Sequence, residues 1–175
     1  MNTFPTRITS FAALIVAGFG LAACSGSDAP AATPAGDSVV IEDGWIKSAD
    51  EGMTGAFGML VNSGDDEATV VSASTDAAAR TELHETVESE TGEMLMREID
   101  GGFGIPAGSD LELVPGGSHL MLMELMGPLE AGDQVSITLT FDDESTYTFE
   151  APVKDYSGAN EEYVGDEQDD SEMDH

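Results

Sequence analysis

The sequence is nearly free of cysteine and poor in basic residues. Cys24 is the single cysteine among 175 residues, and 5 Lys and Arg stand against 35 Asp and Glu. A domain without thiols forms no disulfide, no thiolate metal site of the blue-copper or zinc-ribbon kind, and no cysteine nucleophile. The formal net charge of −30 argues against binding to nucleic acid or to anionic lipid head groups. We interpret it as a solvated acidic surface, with attraction for cations or a basic partner as the alternative.

Sequence motifs of common enzyme classes are also lacking. The chain has no Gly-x-Ser-x-Gly turn, no His-Glu-x-x-His helix and no phosphate-binding loop, each of which positions a reacting group. Ser118 and His119 are adjacent on a predicted strand, so their side chains point to opposite faces and do not form a catalytic pair. The sequence therefore does not predict an enzyme.

The chain also lacks an apolar run long enough to cross a membrane. Its longest apolar run has the form of an export signal. Phe11–Ala23 contains 13 residues and follows Arg7, and it is too short to span a bilayer as a helix. It fits the apolar region of a signal peptide. The end of this run, Leu21-Ala22-Ala23-Cys24, resembles the bacterial lipobox. This resemblance implies cleavage of residues 1–23 and lipidation of Cys24, which would anchor the protein to a membrane surface without a spanning helix.

Composition divides the remaining chain into three parts. Residues 24–37 are small, polar and contain Pro, which predicts a flexible tether. Residues 38–154 have a globular composition and suffice for one domain with one core. Residues 155–175 carry nine acidic residues and no Lys or Arg, which predicts a disordered tail.

The sequence of this domain predicts an all-β fold. Runs with period-two alternation recur about every ten residues between Gly, Asp, Ser and Asn turns, which predicts a single antiparallel β-sandwich. Gln134–Phe141 alternates most clearly, with apolar residues at every second position. The predicted strands are Val39–Lys47, Gly55–Asn62, Ala68–Ser74, Arg80–Val87, Met94–Ile99, Asp110–Val114, His119–Leu125, Gln134–Phe141 and Thr146–Pro152.

Histidine and methionine cluster in one segment of the domain. On the strand that begins at His119, alternate residues share a face, so His119, Met121 and Met123 point the same way. A His and a thioether two residues apart can reach one ion. Thioether sulfur is neutral and soft and favours Cu(I), and imidazole adds affinity without adding charge. A site without thiolates can also release its ion to a stronger Cys-containing acceptor, which suits a carrier better than a store.

A second His and Met pair lies on the strands before and after residue 90. If the hairpin loop is Ser89–Thr91, His84 lies opposite Met96; a loop at Thr91-Gly92 would instead place Val87 opposite Met96. The four residues His84, Met96, His119 and Met121 could therefore converge.

Several segments together resemble one known family. These are Glu82-Leu83-His84-Glu85, Met94-Leu95-Met96-Arg97, the glycine-rich run at 101–108, and Leu113-Val114-Pro115-Gly116-Gly117-Ser118-His119-Leu120-Met121-Leu122-Met123. They resemble the periplasmic copper chaperone family, called PCuAC-like, whose signature is His-x10-Met-x21-His-x-Met. Here 11 residues separate His84 from Met96, and 22 separate Met96 from His119.

The resemblance implies a cupredoxin-like Greek-key fold and a function. It implies that His84, Met96, His119 and Met121 bind copper as Cu(I), with Met94 as a rival to Met96 and Met123 as a spare sulfur. The protein would be an extracytoplasmic, lipid-anchored or periplasmic chaperone. It would deliver copper to the CuA site on subunit II of cytochrome c oxidase, alongside Sco-type proteins.

Two other functions remain open from the sequence. One is a copper-buffering or resistance lipoprotein that uses the same site. The other is a metal-free surface β-sandwich binding module, which predicts that His84 and His119 lie far apart. For Met53, Met59 and Met126, simple core packing is the preferred interpretation, because methionine fills irregular gaps in apolar cores.

Overall fold

The computed structural model describes residues 33–89, 92, 94–158 and, for the backbone alone, 162–163. These residues form α1 Ala35–Ser38, β1 Val39–Lys47, β2 Met53–Asn62, β3 Ala68–Ser74, β4 Ala78–Glu88, β5 Met94–Glu98, β6 Phe103–Ile105, β7 Asp110–Leu113, β8 His119–Leu125, β9 Gln134–Phe141, β10 Thr146–Lys154 and β11 Glu162–Tyr163. No helix within these ranges has the length and apolar character needed to cross a membrane. The predicted signal peptide, Cys24 and most of the predicted tether and tail lie outside the described residues.

The strands form one sheet that closes on itself. Seven strands follow one another in the order β4, β8, β2, β1, β10, β9, β3, and the pairing of β3 with β4 completes the ring. The shorter strands β5, β6 and β7 pair with strands of this barrel, and β11 pairs with β5. Closure satisfies the backbone groups that open edges would leave exposed. The prediction of an all-β domain is confirmed.

The arrangement differs in two respects from the predicted antiparallel sandwich. The sheet is continuous around the barrel, and β1 and β10 pair in parallel, with Ile46 opposite Val153. Strands at the two ends of the domain sequence lie side by side here, and no hairpin constrains their direction. The added pair β11 with β5 is parallel as well.

The alternation of apolar and polar residues along β9 matches the alternation of buried and exposed side chains in the structure. Val135, Ile137, Leu139 and Phe141 are all buried in the main core, while Gln134 and Ser136 are exposed. Each apolar side chain that leaves water contributes roughly 1.5–3 kcal/mol. This predicted half-buried strand is confirmed.

The domain begins three residues before the predicted boundary. Ala35 N–H donates to Asp143 Oδ2 at 2.8 Å, and Gly36 N–H donates to Ser145 Oγ at 2.8 Å. A Cβ on Gly36 would lie 2.4 Å from the carbonyl oxygen of Thr146, so the close approach requires glycine. Residues 35–37, which the sequence assigns to the tether, therefore pack against the β9–β10 hairpin as part of α1.

Candidate metal centre

Strand β8 is buried on both of its faces. Leu120 and Leu122 belong to the main core and are fully buried. His119, Met121 and Met123 point to the opposite face and are also buried, with exposed fractions of 4%, 6% and 4%. Alternation at period two therefore separates the core side chains from the His and Met side chains, as predicted.

Strand β4 places the second histidine beside the first. His84 is directly opposite His119 in the β4–β8 register, and Glu82 is opposite Met121. The two imidazole rings meet edge to face, with their centroids 5.6 Å apart. The metal-free module predicted that these histidines lie far apart, and this distance argues against it.

Strand β5 supplies a thioether to the same face, in a register that the sequence did not predict. Met96 lies opposite Thr86, and His84 lies opposite Glu98. Both predicted hairpin loops are wrong, because five residues separate Glu88 from Met94 and shift the register. Met96 still reaches the site, since its Sδ atom lies 2.9 Å from Nε2 of His119.

The hydrogen bonds of His119 determine which nitrogen carries its proton. Nδ1 lies 3.0 Å from the carbonyl oxygen of Gly117, and a carbonyl oxygen only accepts. Neutral His119 therefore carries its proton on Nδ1 and presents the Nε2 lone pair to the sulfur of Met96. A cation bound by both atoms would relieve the repulsion between these two lone-pair donors, so the pair is a candidate part of a metal site.

A carboxylate orients His84. Nε2 of this fully buried ring lies 2.8 Å from Oε2 of Glu82, and Arg80 Nε donates to the other carboxylate oxygen at 2.7 Å. Partial burial raises the pKa of Glu82, but the hydrogen bonds from His84 and Arg80 and the Arg80 charge outweigh it, so the pKa lies below its ordinary value of 4.5. The ionised carboxylate accepts the Nε2 proton of neutral His84, and Nδ1 then carries the lone pair.

A cavity of about 230 Å³ opens beside the contact between Met96 and His119. Met96, His119 and Met121 line it together with residues 47–49 at the end of β1 and residues 53–55 at the start of β2. His84 is not in the described lining, and its ring contacts the His119 ring edge to face. Two buried thioethers and one imidazole thus line the cavity, and a second imidazole lies next to His119.

The ring of Phe57 lines one side of the cavity. Its centroid lies 4.7 Å from that of Trp45, with the two rings tilted by 37°, and 6.0 Å from that of His119. The Phe57 ring occupies the space above Gly55, where an added Cβ would lie 2.5 Å from the ring. Glycine opposite Met121 therefore allows Phe57 to pack closely against this side of the site.

The other sequence-predicted residues are placed differently. Met123 is buried and packs with Met96 and Met121 in a small cluster separate from the main core. Met94 is 47% exposed and lies outside the described cavity lining. Cys24, the predicted lipidation site, lies outside the described residues.

Sequence reasoning missed Met53. It was assigned to core packing, but its side chain is 42% exposed and lines the cavity. Met126 was assigned in the same way and is 72% exposed. No local sequence signal identifies Met53, because the strand predicted from the sequence begins at Gly55 and the pairing of Met53 with Met123 exists only in the fold.

The described residues around the site offer few carboxylate oxygens and no thiolate sulfur as metal ligands. Across the ranges that the structure describes, no three His, Cys, Asp or Glu side chains come together in a way that could hold a metal ion. The side-chain donors that line the cavity beside His119 include the thioethers of Met96 and Met121. Such ligands suit a soft cation and disfavour Mg²⁺, Ca²⁺ and Zn²⁺.

A family model and one relative that matches over most of the chain show the family. A family model described as "Putative lipoprotein LpqE-like" matches residues 39–153. The protein "Putative lipoprotein Lxx21020" of Leifsonia xyli subsp. xyli is 49% identical over 162 residues, which cover 91% of this chain and 95% of that protein. An uncharacterised protein of Rickettsia prowazekii, RP573, is 32% identical over 84 residues, or 48% of this chain and 46% of its own length.

Solved structures share the fold. The copper-bound PCuAC domain of PmoF2 superimposes with a TM-score of 0.57 at 21% identity, over 68% of this chain and 94% of that one. The Cu(I) form of DR1885 from Deinococcus radiodurans gives a TM-score of 0.53 at 28% identity, over 74% of this chain and 84% of that one.

Proposed function

Since this chain belongs to the LpqE-like lipoprotein family, which is the PCuAC-like family, we propose that it is an extracytoplasmic Cu(I)-binding chaperone. The observation that carries the proposal is the contact between His119 Nε2 and Met96 Sδ beside Met121, at an open cavity. The 28% identity to DR1885, whose solved form holds Cu(I), supports the choice of metal. The cupredoxin-like Greek-key description and the role of carrier rather than enzyme belong to the same proposal.

The proposed ligands are Met96, His119, Met121 and His84. Two thioethers and two imidazoles are all neutral, so the bound ion keeps a single positive charge, which costs less to bury than the double charge of Cu(II). His119 binds through Nε2 and His84 through Nδ1, because Gly117 and Glu82 accept the proton of the other nitrogen. Met94 and Met123 are reserve sulfurs in this proposal.

The absence of thiolate in the ligand set favours transfer. Cys24 is the single thiol of the chain, and the proposed lipid occupies it. Cu(I) held by thioethers and imidazoles passes readily to thiolates, which are stronger ligands for this soft ion. The open cavity gives an acceptor a route to the ion.

The chain enters β1 at the end of that strand opposite the cavity. Ala35 and α1 precede Val39, whereas Lys47 at the other end lines the cavity. A nine-residue strand is roughly 26 Å long at about 3.3 Å per residue. A tether from Cys24 would therefore join the domain at the end away from the cavity mouth and leave that mouth accessible to a partner.

Cu(I) titration of residues 25–175 against a chromophoric Cu(I) chelator, without oxygen, tests the site. Residue 24 is omitted because a free thiol would compete for the ion. We expect one tight equivalent, lost when Met96 and Met121 are both changed to Leu, which preserves volume. A Met126→Leu variant is the matched control and keeps the equivalent. Equal binding by the double variant would contradict the proposal and favour the metal-free module.

Delivery is the finer part of the proposal. We propose that the acceptor is the CuA site on subunit II of cytochrome c oxidase, with Sco-type proteins alongside, and the alternative is copper buffering. Mixing the Cu(I)-loaded protein with a purified, reduced CuA domain and measuring copper in each after separation distinguishes the two. Transfer supports delivery, whereas retention by this protein supports buffering.

A further inference from the structure

Met53 is an exposed thioether beside buried ones. It begins β2 and lines the same cavity as Met96, His119 and Met121. Its side chain is 42% exposed, whereas Met96 is 5% and Met121 is 6% exposed. The cavity is therefore lined by one partly exposed methionine and two buried ones.

The backbone on either side of Met53 is held firmly. The hydroxyl of Thr54 donates to the carbonyl of Lys47 at 2.7 Å, which joins the start of β2 to the end of β1. On the other side, the N–H of Leu125 donates to the carbonyl of Gly52 at 2.9 Å. A side chain with three rotatable bonds thus extends from a fixed point at the cavity and can adapt its position to an ion.

The register places this thioether next to the proposed ligands. Met53 is opposite Met123, and Gly55, two residues along on the same face, is opposite Met121. Gly55 has no side chain of its own, and the Phe57 ring that packs above it lines the same cavity. Met53 and Met121 are therefore diagonal neighbours on one face, a distance that long side chains span.

We propose that Met53 is an entry ligand, which binds Cu(I) at the cavity mouth as the ion passes to or from the buried ligands. This inference rests on the proposed Cu(I) site. The step is a ligand exchange. On entry, the bond from copper to the Met53 sulfur forms as a bond to the external carrier breaks, and it breaks in turn as a bond to a buried ligand forms; exit is the reverse. No electron or proton moves, and copper remains Cu(I). Met53 thereby supplies a soft donor where Met96 and Met121 are too buried to meet a partner directly.

Methionine methyl NMR on residues 25–175 tests the contact. With ¹³C-methyl methionine, we expect addition of Cu(I), or of Ag(I) as a redox-inert substitute, to shift the signals of Met53, Met96 and Met121. Met126, which is 72% exposed, serves as the internal control and does not shift. A shift of Met96 and Met121 without Met53 overturns the entry ligand and leaves the site intact. If none of the four signals moves, the proposed function fails together with the inference.

Transfer kinetics test the role. We expect Met53→Leu to slow both capture of Cu(I) from a weak chelator and removal by a strong one several-fold. Its equilibrium affinity should stay close to that of the unchanged protein, because entry and exit slow together. Met126→Leu should leave both rates unchanged. Rates for Met53→Leu equal to those of the control, or a loss of affinity without slower exchange, overturn the inference.

Discussion

Nε2 of His119 lies 2.9 Å from Sδ of Met96. The two residues are on strands that are not neighbours in the sheet, since β4 lies between β5 and β8. The Gly117 carbonyl holds the His119 proton on the other nitrogen, so the lone pairs of nitrogen and sulfur face each other. A polar pair of this kind does little for an apolar core and is suited to a soft cation.

Substitutions at two adjacent residues of β8 should have different effects, one on stability and the other on copper binding. Leu120 is fully buried in the main core, so Leu120→Ala should lower the free energy of unfolding by about 2–5 kcal/mol. Met121→Leu conserves volume and should cost less than about 1.5 kcal/mol, but it removes a sulfur ligand. Urea unfolding with and without Cu(I) measures both effects.

The contrast between those variants is the informative result. The unchanged protein should gain stability from Cu(I), because a ligand that binds only the folded state stabilises it. Met121→Leu should lose most of this gain while keeping its metal-free stability. An undiminished gain in Met121→Leu would remove Met121 from the ligand set.

The packing of Phe57 over Gly55 gives a second prediction. Gly55→Ala places a Cβ 2.5 Å from the Phe57 ring, so the ring must move. We expect a stability loss of about 1–3 kcal/mol and weaker Cu(I) binding, because Phe57 borders His119. Trp45, whose ring centroid is 4.7 Å from that of Phe57, should report the movement through its fluorescence. Gly127→Ala is the control, since a Cβ there meets nothing within 4 Å.

The sequence predicted most strands because their signal is local. Alternation and turn residues define β1, β3, β8 and β9 with the observed bounds. The short strand β6, Phe103–Ile105, was not predicted, because three residues around Gly104 carry too little alternation and the strand exists through pairing with β3. Barrel closure and the parallel β1–β10 pair were missed for the same reason, since both depend on contacts distant in sequence.

The candidate site could be predicted by chemistry but not by position. His84 and His119 are separated by 34 residues in the sequence and meet because β4 pairs with β8, which no local pattern specifies. The β4–β5 register depends on the five residues between Glu88 and Met94, whereas the sequence predicted a shorter loop. Met53 and Met121 are the same residue type, and burial in the folded domain is what distinguishes an exposed sulfur from a covered one.

One carboxylate should make the stability of the first residues of the domain depend on pH. Asp143 accepts hydrogen bonds from Ser145 and from the backbone N–H of Ala35, and these bonds, that of the Ser145 hydroxyl foremost, hold its pKa below the ordinary 3.8. A lowered pKa means that the contribution to stability is present above pH 3.8 and is lost as the pH falls through the folded value. Asp143→Asn should remove this part of the acid dependence.

Unfolding curves and amide exchange between neutral and acid pH check this expectation. The difference in stability between the unchanged protein and Asp143→Asn should shrink as the pH falls, and the Ala35 amide should exchange faster in the variant at neutral pH. Asp142→Asn is the control, because its carboxylate accepts one longer bond of 3.4 Å from Thr69. A difference that is constant with pH would show that the variant acts through something other than the Asp143 charge.

The hydrogen bond between Glu82 and His84 should matter more for copper than for folding. Glu82→Ala removes the acceptor at 2.8 Å from Nε2, so the proton of His84 is no longer held on that nitrogen and the ring loses its orientation. Loss of such a partner to a metal-binding histidine typically lowers metal affinity about 10–100-fold. Chelator competition measures the affinity, and Glu82→Gln, which retains an acceptor oxygen, should lose less.

A purely structural role for Glu82 would give a different pattern of results. Glu85→Ala is the matched control, because Glu85 is also on β4 and pairs with Arg97 at 2.8 Å on an exposed surface, where ion pairs contribute little. The ¹⁵N shifts of the His84 ring report which nitrogen carries the proton, and they should change in Glu82→Ala but not in Glu85→Ala. Equal copper affinity in both variants, or unchanged His84 shifts in Glu82→Ala, would mean that packing alone sets the histidine. A weaker Cu(I) complex together with a changed tautomer ties the buried imidazole to the metal through this carboxylate.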